Sequence, residues 1–268
     1  MHLDDFNYMW CGCHVAPLKA EQAHWLNPID IRLRDQGRAL LLLHGFSSTP
    51  AIYRRFLPTL LQIYDAVVCP ALPGHAESIE AFSKATAQAW RDSTKQCAEN
   101  LAKTYHSLDL MGLSLGGVLA YDLSTSVKLN RLFLLAPAMV LCQRIHKTIV
   151  LVKILRNLGI KTIAQHAGNF WGSSYAELTY RRLPLSTVIE VLSYLAAYVP
   201  IQSTCPSDVF LGCHDEVVDS NAVEKLLIHQ PDTTIHWLEH SAHILPLDGD
   251  VDYILECVRK KIPNKKNT

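Results

Sequence analysis

The chain has 268 residues, of which 49% are hydrophobic and 19% charged, a composition typical of a globular protein that can bury a large core. Its 25 Lys and Arg residues balance 25 Asp and Glu residues, so the chain lacks the overall positive charge with which nucleic-acid-binding proteins attract phosphates. Composition and charge therefore exclude a disordered chain and argue against a nucleic-acid partner.

The eight cysteines are spread along the chain and do not form the dense framework of a small secreted domain. We therefore expect reduced thiols and a cytoplasmic location. The first 30 residues include Asp4, Asp5 and Glu21 and contain no unbroken apolar stretch, so we predict no signal peptide. Apolar runs such as Ala39–Leu43 are far shorter than the roughly 20 residues needed to span a bilayer.

Short apolar runs alternate with longer segments of helical periodicity along most of the chain. The predicted strands are Ile29–Leu33, Ala39–Leu43, Ala66–Cys69, Leu108–Met111, Leu132–Leu135, Val209–Leu211 and Thr234–Leu238. The predicted helices among them are Ala51–Ile63, Phe82–Leu101 and Gly117–Val127. This alternation predicts an α/β fold with a mostly parallel central sheet flanked by helices.

The alternation stops between about Val140 and Tyr198, which we interpret as an insertion. Ile145–Leu158 and Leu185–Tyr198 are predicted to be apolar helices there. From Val140 to Arg182 its charge is positive, with Arg144, Lys147, Lys153, Arg156, Lys161, Arg181 and Arg182 against the single acid Glu177. These basic residues indicate either a solvated helix face or a surface that attracts anionic substrates or lipid headgroups.

The strongest local motif is a glycine-rich turn that follows a predicted strand and precedes a predicted helix. Its sequence is Gly112-Leu113-Ser114-Leu115-Gly116-Gly117. This is the pattern of a nucleophile elbow, in which a strained turn exposes a serine and requires minimal bulk at the flanking positions Gly112 and Gly116. The alternative is a glycine-rich turn that contains a serine by chance, but the flanking strand and helix favour the elbow.

A serine hydroxyl needs a histidine base that is oriented by an acid, and on such a fold the acid and the histidine follow the serine in the chain. His243 follows the last predicted strand and is the predicted base, with His240 as its rival. Asp215 follows the strand Val209–Leu211 and is the predicted acid. Its rivals are Glu216 and Asp219, the latter expected to cap a helix that begins near Ser220.

An oxyanion formed during acyl transfer needs two convergent N–H donors. The backbone amide of Leu115, which follows the predicted nucleophile, is the first candidate. The second is the amide of Phe46 in the loop after Ala39–Leu43. His44, in the same loop, is interpreted as structural because it precedes the predicted nucleophile in the chain and a base is already supplied.

Taken together and in this order, the motifs resemble those of the α/β-hydrolase superfamily, and most of all its bacterial carboxylesterase and monoacylglycerol lipase branch. They are His44-Gly45-Phe46, Leu72-Pro73-Gly74-His75, the elbow, Asp215-Glu216-Val217-Val218 and Ser241-Ala242-His243. The resemblance spans about Ala39 to Val258. It departs from the family at Ala76 and Ala242, where glycine is common, and we expect only small adjustments there.

The resemblance implies an eight-stranded sheet, a triad of Ser114, His243 and Asp215, oxyanion donors at Phe46 and Leu115, and neither a metal nor an organic cofactor. It also implies a small cap formed by the insertion. The expected organisation is an N-terminal extension at residues 1–30, a core at 31–139 and 205–263, and a cap at 140–204.

Two groups of residues invite a metal hypothesis. Cys11-Gly12-Cys13-His14 lacks a second ligand pair at the usual separation. His236, His240 and His243 lack the helical spacing and the partner helix of a two-histidine zinc motif. We predict no metal at either group.

The function expected from these motifs is cleavage of carboxylic esters, with short to medium acyl groups or a monoacylglycerol, through an acyl-enzyme. Thioester, amide or peptide, and carbon–carbon bond hydrolysis on the same scaffold are alternatives, and so is a binding protein without turnover. We expect an acyl chain to contact the apolar cap residues Leu151, Ile154, Leu155 and Leu158. Trp171, Tyr175, Tyr194 and Tyr198 are expected to pack the cap on the sheet, with some of them lining the acyl site.

Overall fold

The computed structural model describes residues 2–10, 15–166, 169–172, 174–203 and 205–262. Its strands are β1 (Phe6–Met9), β2 (Val15–Pro17), β3 (Ile29–Arg32), β4 (Arg38–Leu43), β5 (Ala66–Cys69), β6 (Ser107–Leu113), β7 (Arg131–Leu135), β8 (Thr162–Ala164), β9 (Glu177–Tyr180), β10 (Arg182–Pro184), β11 (Ser207–Gly212) and β12 (Thr233–Leu238). Its α-helices are α1 (Leu57–Ile63), α2 (Ile79–Ser83), α3 (Ala87–Thr104), α4 (Leu115–Leu123), α5 (Ile145–Asn157), α6 (Leu185–Ala197), α7 (Ser220–Leu227) and α8 (Val251–Lys261). Short 3-10 helices cover Leu3–Asp5, Ala20–Leu26, Pro50–Tyr53 and Leu245–Leu247.

A mostly parallel sheet forms the centre of the molecule. Within the described residues it has seven strands in the order β12-β11-β7-β6-β4-β5-β3, and only β3 runs antiparallel to its neighbour. These are the seven strands predicted from the sequence. The expected eighth strand is wrong for the described residues, because strands β1 and β2 at the N-terminus pair with β9 instead of extending the sheet beyond β3.

Apolar side chains cover both faces of this sheet, which explains why its strands read as continuous apolar runs. In β4, Leu41 and Leu43 pack on the face covered by α3 and α4, while Leu40 and Leu42 pack on the face covered by α1 and α8. Successive residues of a strand point to opposite faces, so each face receives every second leucine.

Two of the predicted helices are divided in the structure. The prediction Ala51–Ile63 becomes the 3-10 helix Pro50–Tyr53 and α1, in whose first turn Pro58 lies. The prediction Phe82–Leu101 becomes α2 and α3, separated at Thr86, whose hydroxyl accepts a hydrogen bond from the amide of Ala89. Proline and capping threonine both favour a new helix start over continuation of the preceding one.

Between β7 and β11 the chain forms α5, β8, β9, β10 and α6. The two helices match their predicted ranges within about a residue, and they pack on each other. The short strands were not predicted. Strand β8 pairs with β10, and β9 pairs antiparallel with β1, so the N-terminal residues are joined to the insertion.

Candidate active site

Ser114 lies at the sharp junction between β6 and α4. Its backbone has φ of 54° and ψ of −116°, a strained conformation for a residue with a side chain. A Cβ at Gly112 would lie 2.2 Å from the carbonyl oxygen of Gly116, and one at Gly116 would lie 2.1 Å from that of Leu43. Only glycine fits at these two positions, so the turn that presents Ser114 depends on both of them.

His243 and Asp215 are brought together by the loops that follow β12 and β11. The His243 Nδ1–H donates to Asp215 Oδ2 at 2.8 Å. The second oxygen, Oδ1, accepts 2.8 Å hydrogen bonds from the amides of Val217 and Val218, and the carboxylate is fully buried. Burial disfavours the charged imidazole, but the Asp215 carboxylate and the more distant Glu177 outweigh burial and raise the pKa of His243.

The rival residues have other positions. The side chain of His240 is exposed and lies 3.5 Å from Asp250, and Glu216 is exposed. Asp219 accepts a 3.0 Å hydrogen bond from the amide of Ala222 and caps α7, as predicted. Of these candidates, Asp215 is the carboxylate that contacts His243.

Two residues that the sequence did not indicate hold this histidine loop. The backbone carbonyl of Asn169 accepts hydrogen bonds from the amide of His243 at 3.0 Å and from that of Ile244 at 3.2 Å. The side-chain oxygen of Asn169 accepts from the amide of Glu216 at 2.9 Å, so one residue of the insertion contacts both loops. Asp248 accepts from the amide of Ala242 at 2.9 Å.

The loop after β4 lies against Ser114. A Cβ at Gly45 would be 3.4 Å from the Cβ of Ser114, which places the peptide of Phe46 close to the serine. Leu115 is the first residue of α4, and the first amides of a helix have no acceptor within it.

His44 is fully buried in the loop after β4. Its Nδ1 donates to the carbonyl of Gly45 and its Nε2 accepts from the amide of Leu72. Burial lowers the pKa of His44 to about 4. It is therefore a neutral residue inside the loop structure.

A cavity of about 550 Å³ opens beside Ser114 and His243. The insertion contributes Ile163, Leu183 and Glu177 to its wall. Glu177 had no motif in the sequence, yet its side chain is buried, and burial raises its pKa to about 6. The cavity therefore combines apolar walls with a buried carboxyl whose pKa is raised.

The expected acyl contacts of the cap helix are wrong. Leu151, Ile154 and Leu158 of the cap helix are 56%, 51% and 74% exposed, and Leu155 packs on the core instead of the cavity. Helix α5 buries Val152 in the core, and none of the four expected contacts lines the cavity beside Ser114. The aromatic residues Trp171, Tyr175, Tyr194 and Tyr198 do not line this cavity either; Tyr194 and Tyr198 pack on the core, and Trp171 stacks on His214.

The three C-terminal histidines have separate partners. His236 lies on β12, and its Nε2 is 2.9 Å from Oδ1 of the buried Asp208. His240 and His243 lie in the loop that follows β12. Within the described ranges no cluster of three or more His, Cys, Asp or Glu side chains could hold a metal ion. The segment Cys11-Gly12-Cys13-His14 lies outside the described residues.

Comparison with known proteins identifies the family. A model of the alpha/beta hydrolase family matches residues 40–254, and the chain belongs to that family. It is 22% identical over 240 residues to a carboxylesterase from Bacillus subtilis (strain 168), covering 85% of this chain and 94% of the relative. It is 23% identical over 228 residues to a thermostable monoacylglycerol lipase from Bacillus sp. (strain H-257), covering 81% and 87%.

Solved structures show the same fold. A structure from work on LipS and LipT, two metagenome-derived lipolytic enzymes, superposes with a TM-score of 0.78 at 20% sequence identity. The match covers 88% of this chain and 97% of that one. The monoacylglycerol lipase of Paleococcus ferrophilus gives a TM-score of 0.68 at 14% identity, with 88% and 98% covered. The predicted α/β-hydrolase fold is confirmed.

Proposed function

We propose that this protein is a serine hydrolase that cleaves carboxylic esters through an acyl-enzyme. One observation carries the proposal: a serine on a strained strand-to-helix turn shares a cavity with a histidine whose other ring nitrogen lies 2.8 Å from a buried carboxylate. A nucleophile, a base and a group that orients the base are the three parts that acyl transfer by serine requires.

In this proposal Ser114 attacks the ester carbonyl while His243 Nε2 accepts the hydroxyl proton. Asp215 holds the imidazole through Nδ1 and stabilises the imidazolium, which agrees with the raised pKa of His243. The amides of Phe46 and Leu115 donate to the oxyanion. His243 then gives the proton to the leaving alkoxide, and a water molecule repeats the sequence to release the acid.

The proposed substrates are esters of short to medium acyl chains or a monoacylglycerol. The names of the relatives, carboxylesterase and monoacylglycerol lipase, support this class. A cavity of about 550 Å³ with apolar walls from Ile163 and Leu183 supports an acyl group of modest size. We further propose the division into an N-terminal extension at 1–30, a core at 31–139 and 205–263, and a cap at 140–204, with the cap forming part of the cavity wall.

The test is hydrolysis of p-nitrophenyl esters across a series of acyl lengths by wild type, Ser114→Ala and Ser126→Ala. Ser126 lies on the surface after α4 and serves as the matched control. We expect a rate maximum at one chain length and a loss of at least about a thousandfold in Ser114→Ala alone. Activity that survives in Ser114→Ala would contradict the proposal.

The alternatives differ in the bond that is cleaved. Another solved structure with this fold is a thioesterase domain from the curacin biosynthetic pathway, with a TM-score of 0.57. Rates for one acyl group presented as ester, thioester and anilide separate an esterase from a thioesterase or an amidase. A folded wild type that hydrolyses none of them would favour a carbon–carbon bond hydrolase or the non-catalytic binding protein.

We also propose a cytoplasmic protein that contacts anionic membrane surfaces through α5. The six described cysteines that carry free thiols support the cytoplasm. None of the helices in the described part of the chain is both long and apolar enough to cross a bilayer. The exposed leucines and isoleucine of α5 lie among basic residues of the insertion, which suits a surface where lipid esters are found.

A further inference from the structure

A second cavity lies between the N-terminal strands and the segment that leads into β9. Its volume is about 360 Å³, and it shares no lining residue with the cavity beside Ser114. Aromatic rings form much of its wall, from Tyr8, Trp10, Trp25 and Tyr175. The Trp10 indole donates to the carbonyl of Ser174 at 3.3 Å, which joins the end of β1 to the opposite wall. Cavities of roughly 300–1,000 Å³ with such walls are typical of small-molecule sites.

Arg54 brings a positive charge to this cavity and has no acidic partner in it. Its guanidinium is partly buried and donates to the carbonyls of Ala51 and Ala176. No Asp or Glu of the described residues forms an ion pair with it. The carboxylate of Glu177 acts on Arg54 only at longer range, and Glu177 lines the other cavity. A partly buried guanidinium whose remaining donors face a cavity is suited to bind an anion there.

The rest of the wall carries one more positive charge and no negative charge among the described lining residues. Lys19 is a second cation there, and the lining among the described residues includes neither Asp nor Glu. Ala16 and Pro17 of β2 add apolar surface. This lining therefore suits a ligand with a negative charge at one end and an apolar, preferably flat, body at the other.

We propose that this cavity binds an organic monocarboxylate with an aromatic or short aliphatic body. Arg54 takes the carboxylate, assisted by Lys19, and the body lies against the aromatic walls. A guanidinium matches the two oxygens of a carboxylate with parallel N–H donors. Ser114 and His243 take no part, so the site is independent of the proposed ester hydrolysis.

The test is isothermal titration calorimetry of the full chain with 4-phenylbutyrate, with 4-phenylbutanol as the uncharged analogue of the same body. We expect saturable binding of the acid and at least about tenfold weaker binding of the alcohol, because the charge-assisted hydrogen bonds are lost. Arg54→Met should weaken binding of the acid by a similar factor. Ala16→Leu, which fills the cavity and keeps Arg54, should also abolish it and tests the site even if Arg54→Met fails to fold.

The cavity beside Ser114 is the competing location for such an acid, and Ile163→Trp narrows that cavity alone. Affinity that is unchanged in Ile163→Trp and lost in Ala16→Leu supports the proposal. Equal affinity for the acid and the alcohol, no binding by wild type, or binding that disappears only in Ile163→Trp would each overturn it.

Discussion

His75 illustrates how a single buried side chain can fix the backbone beside the proposed nucleophile. Its Nε2 accepts a 3.3 Å hydrogen bond from the amide of Ser47, a residue held at φ of 60°. Burial, together with the neighbouring His44, holds the pKa of His75 well below its usual value, so the ring stays neutral and can accept. Because Ser47 directly follows Phe46, this contact holds the peptide next to the proposed oxyanion donor.

We predict that His75→Ala lowers kcat by about tenfold to a hundredfold with a smaller change in KM, because a misplaced donor weakens only the transition state. His75→Gln should recover much of the loss, since its amide oxygen can accept from Ser47. Steady-state kinetics with a p-nitrophenyl ester measure both constants, and His106→Ala, an exposed histidine, is the control. An unchanged kcat, or a loss confined to KM, would refute the positioning role.

Candidate site residues that lie in a recognisable sequence motif could be predicted from the sequence. Residues that only the tertiary structure brings next to the site could not. Ser114 lies in a glycine pattern whose geometry only glycine permits, and Asp215 and His243 each follow a predicted strand. Asn169 contacts the site because its carbonyl accepts hydrogen bonds from the amides of His243 and Ile244. Glu177 belongs to the site because its carboxyl is buried beside the cavity. Nothing in their local sequence distinguishes them from other polar loop or strand residues, because their neighbours come from distant segments.

At the scale of elements, α5 is apolar on two opposite faces. Val152 on one face is buried, with Ile149 packed beside it on the core. The opposite face exposes Val150, Leu151, Ile154 and Leu158 in the described structure. Helical periodicity in the sequence located the helix correctly, but both faces were apolar, so periodicity did not show which one met the core. The short strands β8, β9 and β10 escaped prediction because, unlike Ala66–Cys69, none of them is a continuous apolar run.

The exposed face of α5 predicts peripheral membrane binding. Leu151→Ser combined with Ile154→Ser should reduce co-sedimentation with vesicles that contain phosphatidylglycerol by at least about tenfold, through loss of apolar contact. Added salt should weaken wild-type binding, because the basic residues of the insertion contribute by charge. Ile228→Ser, an isoleucine that is 49% exposed after α7, is the control. Binding that is insensitive to both salt and the α5 substitutions would exclude this surface.

At the scale of the whole molecule, a carboxyl is buried where the insertion meets the core. Glu177 lies on β9, which joins the N-terminal strand β1 to the insertion, and its carboxyl is buried beside the cavity of Ser114. Its negative charge is one of the influences that raise the pKa of His243. A carboxylate that supports the charged form of the proposed base thus costs stability when it is ionised, a conflict found at many active sites.

We predict that Glu177→Gln stabilises the protein at pH 8 and loses this advantage at pH 4.5. Burial raises the pKa of Glu177 from 4.5 to about 6, so the folded protein binds this proton more tightly than the unfolded chain. The contribution of Glu177 to the free energy of unfolding therefore falls as pH rises from 4.5 to about 6. Above this range, the ionised carboxylate lowers the free energy of unfolding by about 2 kcal/mol. The isosteric glutamine has no charge to bury and avoids the cost.

Urea unfolding at the two pH values measures the difference in stability between Glu177→Gln and wild type. Glu216 is an exposed carboxylate on the rim of the same cavity, so the control variant Glu216→Gln should show no comparable effect. A stability gain that is equal at both pH values would mean that packing, and not ionisation, distinguishes the variant.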